Sequence, residues 1–497
     1  MIRINRKKSI PVIVCLLILL LSLPRTAYAA EPYKSYTYTA RMQGVPSLNG
    51  FIPEDVYVGA DLGTTALNAP KDLDFDPEGN LYIVDTGNSR ILKLNENLEL
   101  IAVIDSFNNG GQKDTFNQPE GMFITKEGNI YVADTQNGRI LKFDSEFNLV
   151  RVLDKPDYRG LSTTEDYKPQ KVAVDDSERI FVVAFGAIEG LIQIGQDGEF
   201  IRFFGSNVVK PNFFELALRK ILTKEQREKR MIFLPTEYSN VIVDNAGFLM
   251  TTTLNVMDDA IKRLNSKGDN IMRHDGRTGN SYGEVTTEWT ETKPQFVDLA
   301  VDKDDNVLGL DRTSCRVYVY NSFGDLLFQF GGRGLGKGLF QSPSALEIKD
   351  NKVYVLDDRN NDLTVFKASE FGEKVLLANR LYIDGSYEES LEPWQDVIKM
   401  NSNYDLAYKG IGKALFKMGR YKEAMKNFKL AYAYRDYSKA MGEYRTQIMR
   451  EHFPLIVAVI VLVIIAVRVL FWWLHKKGIY IKEIIEGYNF RRKGESK

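Results

Sequence analysis

The sequence predicts a mainly β fold: a six-bladed propeller, followed by a short α-helical segment and one C-terminal transmembrane helix. Three observations predict it. First, residues 71–94, "KDLDFDPEGNLYIVDTGNSRILKL", are nearly copied at residues 120–143, "EGMFITKEGNIYVADTQNGRILKF". Second, a proline opens each of six units, at Pro70, Pro119, Pro169, Pro235, Pro294 and Pro343, with spacings of 49, 50, 66, 59 and 49 residues. A repeat of this length holding several strands indicates propeller blades or a solenoid. Third, near residue 381 the apolar period changes from two to helical, and residues 455–474 form an apolar run interrupted by Arg468 alone.

Each unit reads as four short strands. The first is "LDFD" or "VAVD", and a tight turn such as "DPEGN" or "TKEGN" follows it. The second strand is "LYIVD", "IYVAD" or "VLGLD"; the third is "RILKL", "RILKF" or "RVYVY". A short turn and a fourth strand, for example "ELIAVI", "NIMRH" or, in the last unit, "EKVLL", complete the unit. Apolar runs bounded by Gly, Asn and Asp turns make an antiparallel meander. Six meanders set radially leave only short, protected edges. "YKSYTYTA" at residues 33–40 is the expected strand that closes the ring.

At this point the chain resembles the NHL-repeat family of propellers. The likeness rests on "DTGNSRI" (Asp85, Asn88, Arg90), "DTQNGRI" (Asp134, Asn137, Arg139) and the pair Asp311 and Arg316. Ala184 and Thr253 stand where the third and fourth units would carry the Asp. The motif is expected to be architectural: an Asp or Asn side chain caps its own turn, and the Arg bridges to the next blade.

The expected boundaries are 1–29 for a signal peptide, 33–380 for the propeller, 381–452 for a helical segment, 453–474 for the membrane helix and 475–497 for a basic tail. The first segment has Arg3, Arg6, Lys7 and Lys8, then an apolar stretch, then "AYA", which is the pattern of a cleaved signal. About twenty apolar residues cross a bilayer core. The tail holds seven Lys or Arg against three Glu, which places it in the cytoplasm and the body outside. Arg468 lies within the apolar run. It either snorkels to the nearby interface or pairs with an acidic residue on a partner helix. In the helical segment, Tyr421, Ala424 and Phe428 recur 34 residues after Tyr387, Ser390 and Trp394. With Gly412, Gly419 and Ala431 they resemble tetratricopeptide repeats.

Composition excludes several functions. Net charge of −1 gives no bulk positive field for nucleic acid. Once Cys15 leaves with the signal, Cys315 is the one thiol, so the body has no internal disulfide. His274 is the one His of the propeller segment, which leaves no imidazole cluster for zinc and no Ser–His–Asp constellation. No cofactor is expected; Asp and Asn abound on the loops, so calcium is the metal that the composition accommodates.

Loops between one unit's fourth strand and the next unit's first are long, and the other turns are short. Elaboration of one face points to that face as the binding face. Arg277, Tyr282, Trp289 and Arg333 are the candidate ligand-binding residues there: the aromatics stack on a sugar or peptide, and the two Arg take an anionic group. "NFFELALRKILTKEQREKR" at 212–230 reads as a basic amphipathic helix. The expected function is a bacterial, single-pass membrane protein whose extracytoplasmic body binds a protein, peptide or glycan. A calcium-dependent hydrolase or lactonase is the alternative.

Overall fold

A computed structural model describes residues 33–39, 43–157, 167–207, 236–256, 258–273, 282–283 and 293–477. Among them six antiparallel sheets follow one another in chain order. Blade one contains β4 (Asp72–Phe75), β5 (Leu81–Asp85), β6 (Arg90–Leu94) and β7 (Leu100–Ile104). Blade two contains β10 (Gly121–Ile124) to β13 (Leu149–Leu153), and blade three β14 (Pro169–Val174) to β17 (Phe200–Phe204). Blade four has three strands among the described residues, β18 (Tyr238–Val243) to β20 (Ile261–Leu264). Blade five runs from β21 (Phe296–Val301) to β24 (Leu326–Gly331). Blade six contains β25 (Pro343–Lys349), β26 (Lys352–Asp357) and β27 (Asp362–Ala368).

Three strand expectations are corrected. The ring is closed by β3 (Phe51–Val58), which pairs with β27 from Asp362↔Val58 to Ala368↔Phe51 and completes blade six. Residues 33–40 do not close it: β1 (Ser35–Tyr38) forms a hairpin with β2 (Gly44–Ser47). "EKVLL" is helical, within α1 (Glu370–Ile383). Ser369 explains the switch, because its hydroxyl accepts the Gly372 N–H at 3.0 Å and so caps the helix. "NIMRH" contributes an isolated bridge, Leu264↔Asn270, in place of a fourth strand.

The apolar residues of each sheet face the neighbouring blade. Tyr82, Val84 and Ile91 of blade one pack with Met122, Val132 and Leu141 of blade two. Leu73, Ile83 and Leu92 pack with Ala345, Leu356 and Leu363 across the closure. A single blade cannot bury both faces, so the copies stabilise one another. α1 docks tightly on the start of the closing segment: a Cβ on Gly372 would lie 1.9 Å from the Gly50 carbonyl oxygen.

Compact units divide near residue 381: one is residues 1–380 with 399–404, the other 381–398 with 405–497. The second contains α2 (Leu391–Met400, in large part), α3 (Asp405–Lys417), α4 (Tyr421–Leu430) and α5 (Tyr434–Lys476). Phe428 of α4 lies over Gly412 of α3, where a Cβ would be 2.6 Å from the ring. α5 has 43 residues, and its apolar part is long enough to cross a membrane, with none of that stretch buried.

Candidate functional site

The repeat motif forms a latch. Asp85 ends β5, is fully buried, and accepts the Asn68 N–H at 2.7 Å, Asn88 Nδ2 at 2.8 Å and Arg90 Nε at 2.7 Å. Arg90 Nη1 then donates to Thr65 Oγ1 at 2.8 Å and Nη2 to the Thr65 carbonyl at 3.1 Å. Blade two repeats this: Asp134 accepts from Asn117, Asn137 and Arg139, and Arg139 holds Asp114 at 2.8 and 3.0 Å. The Arg contacts run in a different direction from the expected one. Arg90 and Arg139 bridge to the segment that enters their own blade, not to the next blade. The forward link comes from the residue after the Asp: Thr86 Oγ1 donates to the Pro119 carbonyl and Thr135 Oγ1 to that of Pro169, both at 2.7 Å.

Blade five keeps half of the latch. Asp311 accepts the Gln295 N–H at 2.7 Å. Arg316 turns away from it, to the Lys34 carbonyl at 3.3 Å, to Gln329 Oε1 and to the face of Tyr36 at 5.0 Å. Ser314 takes the place of the Arg, donating to Asp311 at 2.7 Å.

Of the four long-loop candidates, Tyr282 and Arg333 are among the described residues. Tyr282 is buried, 4% exposed, and meets Tyr320 edge-on at 5.2 Å between ring centres. Its ring is therefore core, not a stacking surface. Arg333 is exposed and donates to the Thr313 carbonyl at 2.9 Å. Arg277, Trp289, the 212–230 segment, His274 and residues 1–29 lie outside the described residues. The long connection after blade one folds into a hairpin, β8 (Ser106–Asn109) with β9 (Gln112–Thr115), and Phe107 of β8 and the flanking Phe116 pack on Phe143. Its length thus serves packing.

A cavity of about 620 Å³ lies instead on the propeller axis. It runs along the six innermost strands and reaches the short turns at Thr125, Asp176, Asn245 and Lys349. It therefore opens on the face opposite the long loops. Strand register puts Asp72, Lys171 and Asp298 of blades one, three and five at one level, with Asn240 of blade four. Lys171 Nζ meets Asp72 Oδ1 at 2.6 Å. Asp298 accepts from Asn240 Nδ2. Asp74 and Glu347 line the cavity two positions further along their strands.

Three of these acids also satisfy open strand edges. Asp72 accepts the Met122 N–H at 2.7 Å, Asp74 that of Ile124 at 2.7 Å and Asp298 that of Leu346 at 2.8 Å. An innermost strand has no partner on its axial side, so its N–H groups need such acceptors. Four acids and one ammonium is an uneven set. Burial pushes Asp74 up to about 8 and Asp298 up to about 7. Burial, then Asp74, raises Glu347 well above the ordinary range, and burial raises Asp72. Burial opposes the charge on Lys171, but Asp72 and Asp298 outweigh it and raise its pKa. Lys171 thus stays charged, and the surplus carboxyls retain protons near neutral pH.

Among the described residues the lining contains no Ser, Cys or His. No group of three His, Cys, Asp or Glu among the described residues could hold a metal ion. Sequence reasoning does not find the axial residues, because "LDFD" reads as an ordinary strand. The available signal was charge inside an otherwise apolar strand.

With this geometry in place, the sequence comparison is informative for one blade. Residues 116–143 match the NHL repeat. The match begins at Phe116 and spans β10 to β12 (Arg139–Phe143), in one of the two blades with the complete latch. No curated protein matches the chain. Among solved structures, virginiamycin B lyase from Staphylococcus aureus is similar at 8% identity and TM-score 0.40, over 63% of this chain and 99% of that one. A structural genomics protein of unknown function from Bacteroides thetaiotaomicron is similar at 8% identity and TM-score 0.41, over 68% of this chain and 76% of that one. Likeness at this level says nothing about chemistry.

Proposed function

We propose that this chain is a membrane-anchored extracytoplasmic binding or scaffold protein, and that its ligand enters the axial cavity from the short-turn face. The observation that carries this reading is the cavity of about 620 Å³ lined by Asp74, Glu347, Asp298 and Lys171, with no Ser, Cys or His nucleophile–base pair among the described lining residues. Protonated carboxyls both donate and accept hydrogen bonds, which suits the hydroxyls of a glycan or the amides and amine of a peptide. The signal-like segment and the basic tail support an exterior body and an interior tail. The tetratricopeptide-like helices are then a spacer between propeller and bilayer, or a second docking surface.

One observation favours the acid–base half of a second reading, a calcium-dependent hydrolase or lactonase. Carboxyls held near neutrality are suited to general acid catalysis, and Asp74 and Asp298 are of that kind. The two readings separate on glycan and peptide arrays probed with the full chain in nanodiscs. The binding reading predicts retention on a defined set of ligands, unchanged by a calcium chelator. No retention, together with chelator-sensitive turnover of lactone substrates, would replace it with the second.

A further inference from the structure

We infer that Arg468 pairs, within the bilayer, with a carboxylate on the membrane helix of a different protein; this rests on the reading of α5 as a membrane span. At 1.5 Å per residue, Arg468 lies about 20 Å from the Leu455 end of the apolar run and about 9 Å from the Leu474 end. The N-terminal interface is out of reach, so snorkelling has to run toward the C-terminal end.

Helix geometry opposes that route. Every Cα–Cβ bond of an α-helix tilts toward the helix N-terminus. Arg468 therefore starts out directed toward the bilayer centre, away from its nearer interface. The residues one turn ahead on the same side are Phe471 and Trp472. Trp472 already carries Lys476 at 5.1 Å from its ring centre, and Trp473 carries Lys477 at 5.0 Å. The interfacial aromatics thus have their cations. None of the apolar stretch of α5 is buried, and Arg468 has no hydrogen-bond, ion-pair or ring partner among the described residues.

A second copy of this chain cannot supply the partner. Between Glu451 and Glu483 the sequence has no Asp or Glu, so self-association through this helix would juxtapose two guanidiniums. A charge in the hydrocarbon is retained when it is paired, and Arg is suited to a carboxylate because its fork matches both oxygens. The fitting occupant is a helix with one Asp or Glu at the depth of residue 468.

The test uses the full chain in the membranes of its source cells, with a photo-crosslinking residue replacing Ile465, one turn before Arg468. The expected product is a discrete heteromeric adduct whose partner has an Asp or Glu in its membrane segment. Arg468→Leu should lower its yield at least tenfold, and Arg468→Glu combined with that carboxylate changed to Arg should restore it. Adducts to lipid or to a second copy alone, a partner without a membrane acid, or unchanged yield in Arg468→Leu would overturn the inference. An alkaline carbonate wash separates the two failures. A chain that washes off refutes the membrane span itself; a retained chain without an Arg468-dependent adduct refutes only the pairing.

Discussion

Arg90 Nε donates to Asp85 Oδ2 at 2.7 Å, while the far end of the same guanidinium grips Thr65, twenty-five residues back. The pair is buried, with side-chain exposures of 11% and 0%. Removing one partner of a buried pair strands the other, at a cost of about 3 kcal/mol or more. Arg90→Ala should therefore lower the melting temperature markedly. Arg316→Ala, at the matching position of blade five but without the Asp contact, should cost about 1 kcal/mol or less. Equal losses in the two variants by thermal unfolding would remove the latch assignment.

Lys171 and Asp72 offer a double-mutant test on the axis. Lys171→Met leaves Asp72 among carboxyls with no cation, and about 3–5 kcal/mol of destabilisation is expected. Adding Asp72→Asn should recover most of it, because neither charge then remains. Additive losses in urea titrations would show that the two side chains act independently.

Stability should fall as pH rises from about 4 to about 8. Asp74 and Asp298 have folded-state values of about 8 and about 7, against 3.8 unfolded. Between those limits the folded state binds more protons than the unfolded state, so deprotonation favours unfolding. The lowered carboxyl of Asp114, held by Arg139, acts in the other direction and only below pH 4. Asp74→Asn should flatten the decline between pH 5 and 8. A melting temperature that rises across that window in the parent chain would contradict the axial assignment.

Gly372→Ala tests the docking of α1. The new Cβ would meet backbone, the Gly50 oxygen at 1.9 Å, which no side-chain rotation relieves. Overpacking of this kind costs about 1–3 kcal/mol. Unchanged stability would mean that α1 is not anchored against the segment that leads into β3.

Much of the propeller is readable in the sequence because period-two runs and turn residues recur with the blades. Its closure is not. Phe51–Val58 is separated from β27 by some three hundred residues, and pairing over such a distance leaves no local signal. "EKVLL" misleads because an apolar run suits either element; Ser369 decides it. The latch is legible as a motif, whereas its direction depends on which segment lies beside Arg90. Loop length alone does not mark a site. Loop length is visible in sequence, but Phe107 and Phe116 fold one such loop onto its own blade, and Tyr282 turns into the core. The axial acids were hidden because each blade contributes one or two, and only register brings Asp72, Lys171 and Asp298 together.

The central claim is that ligands enter the axial cavity from the short-turn face. Its most direct measurement compares Ile242→Trp, which fills the cavity, with Arg333→Ala on the long-loop face, both in the full chain and both against whatever array ligand the parent retains. Ile242→Trp should lose at least tenfold in affinity with its melting transition preserved, and Arg333→Ala should bind as the parent does. Full binding by Ile242→Trp, with loss in Arg333→Ala, would contradict the account and return the site to the long-loop face.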